Sequence, residues 1–316
     1  MQRVDFGEVP YDALIELGLT HEQILDALDR KPLVTACQAQ DHPGAWYDVE
    51  RARRALKALG LFKHTKGRWA GVRMRLGEGL DPWQVVWVLA PIFGWVFHDA
   101  EIDRIVRVIR SAWIEVPRKN GKSTLSSGIS GVLLLADREP GAEVYNAAGS
   151  TTQAGRVFED AKRMLSTSRA ARSRIEPLKE VVRVPKTGSI LRVLSRVAET
   201  AHGLNVSGAI IDEVHTLRLR RALVEAIETG VGARDQPLIV YITTADEAEE
   251  GAAAEDHEQG HASGQQVRSA GNISSGYPAA SPTPGFAEHV VATARRGQAV
   301  ARGERIGTLI SGEENR

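Results

Sequence analysis

Apolar and polar positions change rhythm twice along this chain. Up to about residue 65 the apolar residues recur at helical spacing. Ile24, Leu25, Ala27 and Leu28 follow Thr20, whose hydroxyl can cap a helix carrying Glu22 in its first turn, and the segment Tyr47 to Leu59 repeats the pattern up to Gly60. A small helical region is expected there. Leu80-Asp81-Pro82-Trp83-Gln84 then leads into the dense apolar runs 85–89 and 92–96, which predict a buried helix whose aromatic residues belong to a core. From Trp113 onward short apolar runs alternate with amphipathic segments. Strands are expected at Trp113 to Val116, Glu143 to Ala148, Ser189 to Val197, Ile210 to Glu213 and Leu238 to Thr243. Helices are expected at Lys122 to Ala136, Thr151 to Leu165 and Leu219 to Glu228. That alternation implies an α/β fold, a mostly parallel sheet with helices on both faces and a ligand site beyond the strand ends.

The texture is lost from Glu247. Ala, Gly, Ser, Glu and Gln dominate, and the few apolar anchors, such as Ile273, Phe286, Val290, Val291 and Leu309, are too sparse to offset the entropy of ordering the segment. The tail reads as largely disordered, with one helix expected around Phe286 to Arg296. The chain thus divides into a helical region 1–65, an α/β domain 66–246 and a tail 247–316. Composition adds exclusions. Forty Lys and Arg balance forty Asp and Glu, so any contact with nucleic acid must come from a local patch or from assembly. Cys37 is the only cysteine, which excludes an intramolecular disulfide framework and fits a reducing cytoplasm. No basic and apolar leader is seen, and no apolar run approaches the roughly 20 residues of a membrane span, so a soluble protein is expected.

Two motifs carry chemistry. The first is Trp113-Ile114-Glu115-Val116-Pro117-Arg118-Lys119-Asn120-Gly121-Lys122-Ser123-Thr124, a strand that enters a turn ending in Gly-Lys-Ser before a helix. Gly121 lets the backbone approach phosphates, Lys122 can reach their β and γ oxygens, and the Ser123 hydroxyl is placed to ligate Mg²⁺. The loop departs from G-x-x-x-x-G-K-[ST], because Val116 stands where the first glycine would be and Arg118 and Lys119 add two cations. Lys122 is expected on a solvent-facing loop. The second motif, Gly208-Ala209-Ile210-Ile211-Asp212-Glu213, is a buried strand delivering two carboxylates to a sheet edge. In ATPases so built the first acid, here Asp212, holds Mg²⁺ through its water shell and the second, Glu213, deprotonates the attacking water. Each motif alone is common. Together, in this order, they point to an ATPase.

The order Pro82-Trp83-Gln84, Phe93-Gly94-Trp95, Val116 to Ser123, Ala209-Ile210-Ile211-Asp212-Glu213-Val214-His215 and Ile242-Thr243-Thr244-Ala245 resembles the ATPase half of tailed-phage large terminase subunits. The resemblance covers roughly residues 40 to 246. It implies a P-loop ATPase of the ASCE, RecA-like class that binds ATP and Mg²⁺ and drives double-stranded DNA into a procapsid. Implied partners are the phage small terminase subunit, the portal and further copies of the chain in a ring, in the host cytoplasm. Carried over by position, Gln84 resembles the glutamine that reads adenine. Arg118 resembles the loop arginine that senses the γ-phosphate. Lys119, Asn120, Gly121, Lys122, Ser123 and Thr124 match the phosphate and metal cradle, Asp212 the metal holder and Glu213 the catalytic carboxylate. Thr243 and Thr244 resemble the motif coupling hydrolysis to movement. Gln84 is also suited to capping a helix that starts at Pro82, and the two threonines suit any strand.

The family pattern is then expected to stop. Large terminases carry a nuclease that holds two metal ions on several carboxylates, yet Asp256 is the only aspartate after residue 246. Nuclease activity is not expected, and a truncated or frame-shifted gene is one reading of the tail. Two rivals stay open. Asp212-Glu213-Val214-His215 also resembles a DExH helicase motif, and a non-catalytic nucleotide-binding remnant would carry the same residues.

Overall fold

The computed structural model describes residues 9–29, 42–116, 119–148, 150–194, 204–213, 221–244 and 289–293. Two short helices, α1 (Tyr11–Glu16) and α2 (His21–Asp29), come first. Buried Leu14, Ile24 and Ala27 join the same apolar cluster as the central sheet, and the Trp87 indole donates to the Ala27 carbonyl at 2.6 Å. The helix expected from Tyr47 begins later. Trp46 and Tyr47 form strand β1 (Trp46–Tyr47), and Asp48 then caps α3 (Val49–Leu59) by accepting the Arg51 N–H at 3.1 Å. Gly60 ends α3 in a right-handed conformation, φ −60°, rather than in a left-handed cap.

The expected buried helix is broken into parts. α4 (Pro82–Gln84) passes into a π-helical turn over Val85–Leu89 and then α5 (Ala90–Gly94). Pro91 has no N–H to offer the Trp87 carbonyl in α register, and the wider turn carries the chain past it. The run 92–96 does not stay helical. Gly94 lies so close to Tyr47 that a Cβ there would sit 2.3 Å from the ring, and the chain continues as β2 (Trp95–Asp99), paired on either side with β1 and with β3 (Arg104–Arg107) in a small antiparallel sheet. The pairing of β1 with β2 joins residues about 50 apart, which helical spacing alone does not report.

The remaining elements follow the expected alternation: β4 (Ser111–Val116), α6 (Lys122–Leu135), β5 (Glu143–Ala148), α7 (Thr151–Thr167), α8 (Arg169–Arg172), β6 (Glu176–Pro177), β7 (Val181–Val184), β8 (Ser189–Val193), β9 (Val206–Asp212), α9 (Arg221–Thr229) and β10 (Leu238–Thr244). With β11 (His289–Thr293) they form one eight-stranded sheet in the order β11-β4-β10-β9-β5-β8-β7-β6. The first six strands are parallel, and at the far edge β7 runs antiparallel to both its neighbours, β8 and β6. β7 and β8 form a hairpin that turns at Thr187-Gly188, and of the strand expected from Ser189 to Val197, Ser189–Val193 is present as β8 while 195–197 lie outside the described residues. β11 corrects the helix expected around Phe286 to Arg296: His289–Thr293 pairs in parallel with β4. Other residues of the tail, Cys37, Val214, His215 and Ala245 lie outside the described residues.

Period-two alternation sorts the side chains of the central strands. Ile114, Ile210, Val240 and Ile242 point to the face covered by α6 and α7, whereas Ile211, Ile239 and Tyr241 point to the face covered by α9. Each fully buried aliphatic side chain here contributes about 1.5–3 kcal/mol. Packing both faces holds the carboxyl ends of β4, β10 and β9 side by side, one strand apart from their neighbours. β10 stands between the strand that enters the Gly-Lys-Ser turn and the strand that ends at Asp212, with Glu213 directly after it.

Candidate nucleotide site

The turn after β4 reaches α6 through two left-handed residues. Lys119 has φ +71° and Gly121 φ +78°, and Gly121 is the residue from which α6 starts. Only glycine takes this conformation without strain, and Gln84 Nε2 lies within contact, 3.4 Å from where a Cβ on Gly121 would stand. The first free N–H groups of a 14-residue helix follow at once, with Lys122, Ser123 and Thr124 in its opening turn. Ser123 is exposed and Thr124 partly so. Asn120 is partly exposed and Lys119 exposed at the mouth of the turn, while Pro117 and Arg118 lie outside the described residues.

Across the sheet edge β9 ends at Asp212, in register with Ile242 of β10 and Ala148 of β5. Glu213 follows at φ +54°, a costly conformation for a non-glycine residue, held by its N–H donating to the Ile242 carbonyl at 2.9 Å and to Asp212 Oδ1 at 3.1 Å. The Lys122 ammonium then closes the site. It donates to Glu213 Oε1 and lies 3.1 Å from Asp212 Oδ1. Its side chain is only 13% exposed, so the expectation of a solvent-facing lysine is corrected: a cation whose charge is needed between two carboxylates is drawn inward. Burial raises the Asp212 carboxyl above its ordinary value, with Lys122 pulling against that rise.

The other expected residues fall into two groups. Gln84 is 6% exposed beneath the turn, its Oε1 accepting the Asp81 N–H at 3.1 Å while its Nε2 faces Gly121. The helix-start role suited to Pro82 is therefore present, and half of its amide is committed to it. Thr243, 3% exposed, and Thr244 end β10 opposite Glu115 and Val116 of β4. Alternation puts Thr244, like Asp212, on the α6 face, and Thr243 with Tyr241 on the α9 face. One buried group escaped the sequence reading. Glu115, 6% exposed, accepts the Trp113 indole N–H at 2.8 Å one residue before Val116. A lone carboxylate inside an otherwise apolar strand was the available signal.

A family model described as the terminase large subunit ATPase domain matches residues 82–261. The chain belongs to that family. Among solved structures, the HK97 bacteriophage large terminase is similar to this terminase ATPase domain with a TM-score of 0.51 and 24% identity, over 67% of this chain and 42% of that one. That likeness supports the fold. The Thermus phage P74-26 large terminase ATPase domain aligns at 20% identity and a TM-score of 0.36, over 44% of this chain and 61% of that one. The chain spans less than two thirds of the length of either. No curated protein matches it. Among the described residues no helix is long and apolar enough to cross a membrane.

Proposed function

We propose that this terminase ATPase domain hydrolyses ATP with Mg²⁺ and that turnover drives double-stranded DNA into a procapsid. The observation that supports this most is the Lys122 ammonium set between Asp212 and Glu213, directly ahead of the free N-terminus of α6. The residues fit a Mg²⁺-nucleotide. A left-handed turn and a helix start suit phosphate oxygens, and a hydroxyl and a carboxylate suit a hard cation that keeps several waters. Among the described residues no cluster of three or more His, Cys, Asp or Glu could hold a metal. Ser123 and Asp212 would therefore share Mg²⁺ with the phosphates, and the ion when bound supplies charge neutralisation to the phosphate oxygens.

The ion pair assigns an order to the remaining steps. Phosphate oxygens compete for the Lys122 ammonium, and as Lys122 turns to them Glu213 is released to accept a proton from the attacking water at Oε1. Asp212, fixed in register between β10 and β5, keeps its place while Glu213 changes partner. Arg118 is assigned the γ-phosphate, Gln84 the adenine edge through its Nε2, and Thr243 and Thr244 the link to movement, with Lys119, Asn120 and Thr124 completing the cradle. Residues 66–246 form the ATPase unit in this proposal. A small terminase subunit, a portal and further copies in a ring are the partners, in a host cytoplasm.

The test is MgATP binding and turnover in the parent, Lys122→Ala and Glu213→Gln, with and without double-stranded DNA. Unchanged ATP affinity in Lys122→Ala refutes the site. A parent that binds ATP but never turns it over, DNA included, favours a nucleotide-binding role without catalysis. No DNA cleavage is assigned to this chain: with Mg²⁺ or Mn²⁺ it should leave duplex DNA intact on a gel, since two-metal cleavage needs several convergent carboxylates and the sequence beyond residue 246 offers Asp256 with scattered glutamates in a segment poor in apolar anchors.

A further inference from the structure

At the opposite end of α6 from the phosphate turn, roughly 20 Å away along its 14 residues, a cleft of about 520 Å³ opens between α3, β3 and the residues that follow α6. A volume of this size lies in the range of small-ligand sites, about 300–1,000 Å³. Five arginines line it, Arg51, Arg54, Arg104, Arg107 and Arg138, against three aspartates, which leaves an excess of two positive charges.

The arginines are not all satisfied by that lining. Arg104 pairs with Asp235 and Arg107 with Asp137, while His98 takes Asp103 at 3.0 Å. Arg51 donates to Gln236 Oε1 at 3.1 Å and to the Ile105 carbonyl at 2.6 Å. For Arg54 and Arg138 no hydrogen bond or ion pair is found among the described residues. Arg107 is the most telling. Its side chain is 3% exposed, its guanidinium stacks 5.3 Å from the Phe93 ring centroid, and only Nη2 is used by Asp137. Nε and Nη1 are buried without a hydrogen-bond partner. Arginine cannot discharge by losing its proton, so buried donors without a partner are costly to keep. Burial lowers the Arg51 pKa, opposed first by Asp48, 3.8 Å from its Nε, with smaller contributions from the Arg107 and Arg54 charges.

We propose that this cleft is an oxyanion site that binds a phosphate group, either free phosphate or a phosphate of a nucleic-acid backbone. Arg107 keeps two donor nitrogens uncommitted beside its pair with Asp137, and Arg54 and Arg138 add charge at the lining of the cleft for an oxyanion. The carboxyl end of α6 also opens here and carries negative partial charge. Capping of that end by arginines is the competing explanation, and it requires no ligand.

The experiment is calorimetric titration of the full chain with inorganic phosphate, run on the parent, Arg54→Gln, Arg138→Gln, Arg107→Lys and Lys122→Met. Arg107→Lys keeps a cation beside Asp137 while removing the two uncommitted guanidinium donors, and Arg54→Gln tests the site without touching that buried pair. Lys122→Met controls for phosphate taken at the turn after β4. Saturable binding that survives Lys122→Met and weakens at least about tenfold in Arg54→Gln or Arg107→Lys supports the site. Duplex DNA is then added: displacement of the phosphate assigns the backbone as the source, and its absence assigns free phosphate. No saturable binding in the parent, or binding lost in Lys122→Met and unchanged in the three arginine variants, overturns the proposal. Neither result bears on ATP hydrolysis at the other end of α6, so the two readings fail separately.

Discussion

Replacing Lys122 by alanine removes the one cation found between Asp212 and Glu213 among the described residues, and its first effect is on stability rather than on turnover. At 3.1 Å the Lys122–Asp212 attraction is about 5 kcal/mol at an effective dielectric near 20, before desolvation is set against it. Deleting one partner of a buried pair costs about 3–5 kcal/mol, because a buried charge is left unanswered. The side chains of Lys122, Asp212 and Glu213 are 13%, 10% and 22% exposed, which trims the expected loss to about 2–4 kcal/mol at pH 8. The loss should shrink on acidification. Burial holds the Asp212 carboxyl above its ordinary value, so the folded chain takes up this proton at a higher pH than the unfolded chain does. Its favourable contribution is complete below the ordinary carboxylate range and is lost as pH rises through the raised value. Lys122 opposes that rise, so Lys122→Ala lifts the value further and widens the window. Urea denaturation at pH 5 and pH 8 measures both effects. Asp212→Asn in the Lys122→Ala background should restore about 1–3 kcal/mol at pH 8, since the neutral amide leaves one carboxylate alone. A Lys122→Ala protein as stable as the parent at pH 8, with no rescue by Asp212→Asn, would refute the buried ion-pair account.

Other outcomes follow from single contacts. Glu213→Gln should bind MgATP within a few-fold of the parent and lose about 10²-fold or more in hydrolysis, measured by phosphate release. Gly121→Ala should cost about 1–2 kcal/mol of stability, measured by urea denaturation, and weaken ATP binding, because φ +78° resists a Cβ; an unchanged protein would mean the turn is not held there. Trp87→Phe, which deletes the 2.6 Å bond to the Ala27 carbonyl, should lower stability by about 1–2 kcal/mol and expose α2 to faster hydrogen exchange than the sheet.

The central sheet was legible because its information is local. Alternation within runs such as Gly208 to Asp212 reports both faces of a buried strand, and Gly-Lys-Ser and Asp-Glu are contiguous. What pairing decides was hidden. β1 and β2 meet across about 50 residues, so Trp95 and Val96 looked like the end of a helix, and His289–Thr293 became a strand because β4 had an edge to offer. The same holds inside the site. Lys122 and Glu213 were each visible, yet their contact across 91 residues turned an exposed lysine into a buried one. The arginines of the distant cleft come from α3, β3 and the end of α6, and no spacing along the chain gathers them.

The placement of β10 also sets how the sheet carries load. It is laddered to β4 through six residue pairs and to β9 through five, all parallel. Tension applied to the chain beyond Thr244 runs along the strand and across its hydrogen bonds, so both ladders are loaded in shear and their bonds resist together instead of opening one after another. Pulled from that end, the phosphate turn and the acid pair are displaced as one stiff unit, and the compliant part of the machine must lie elsewhere.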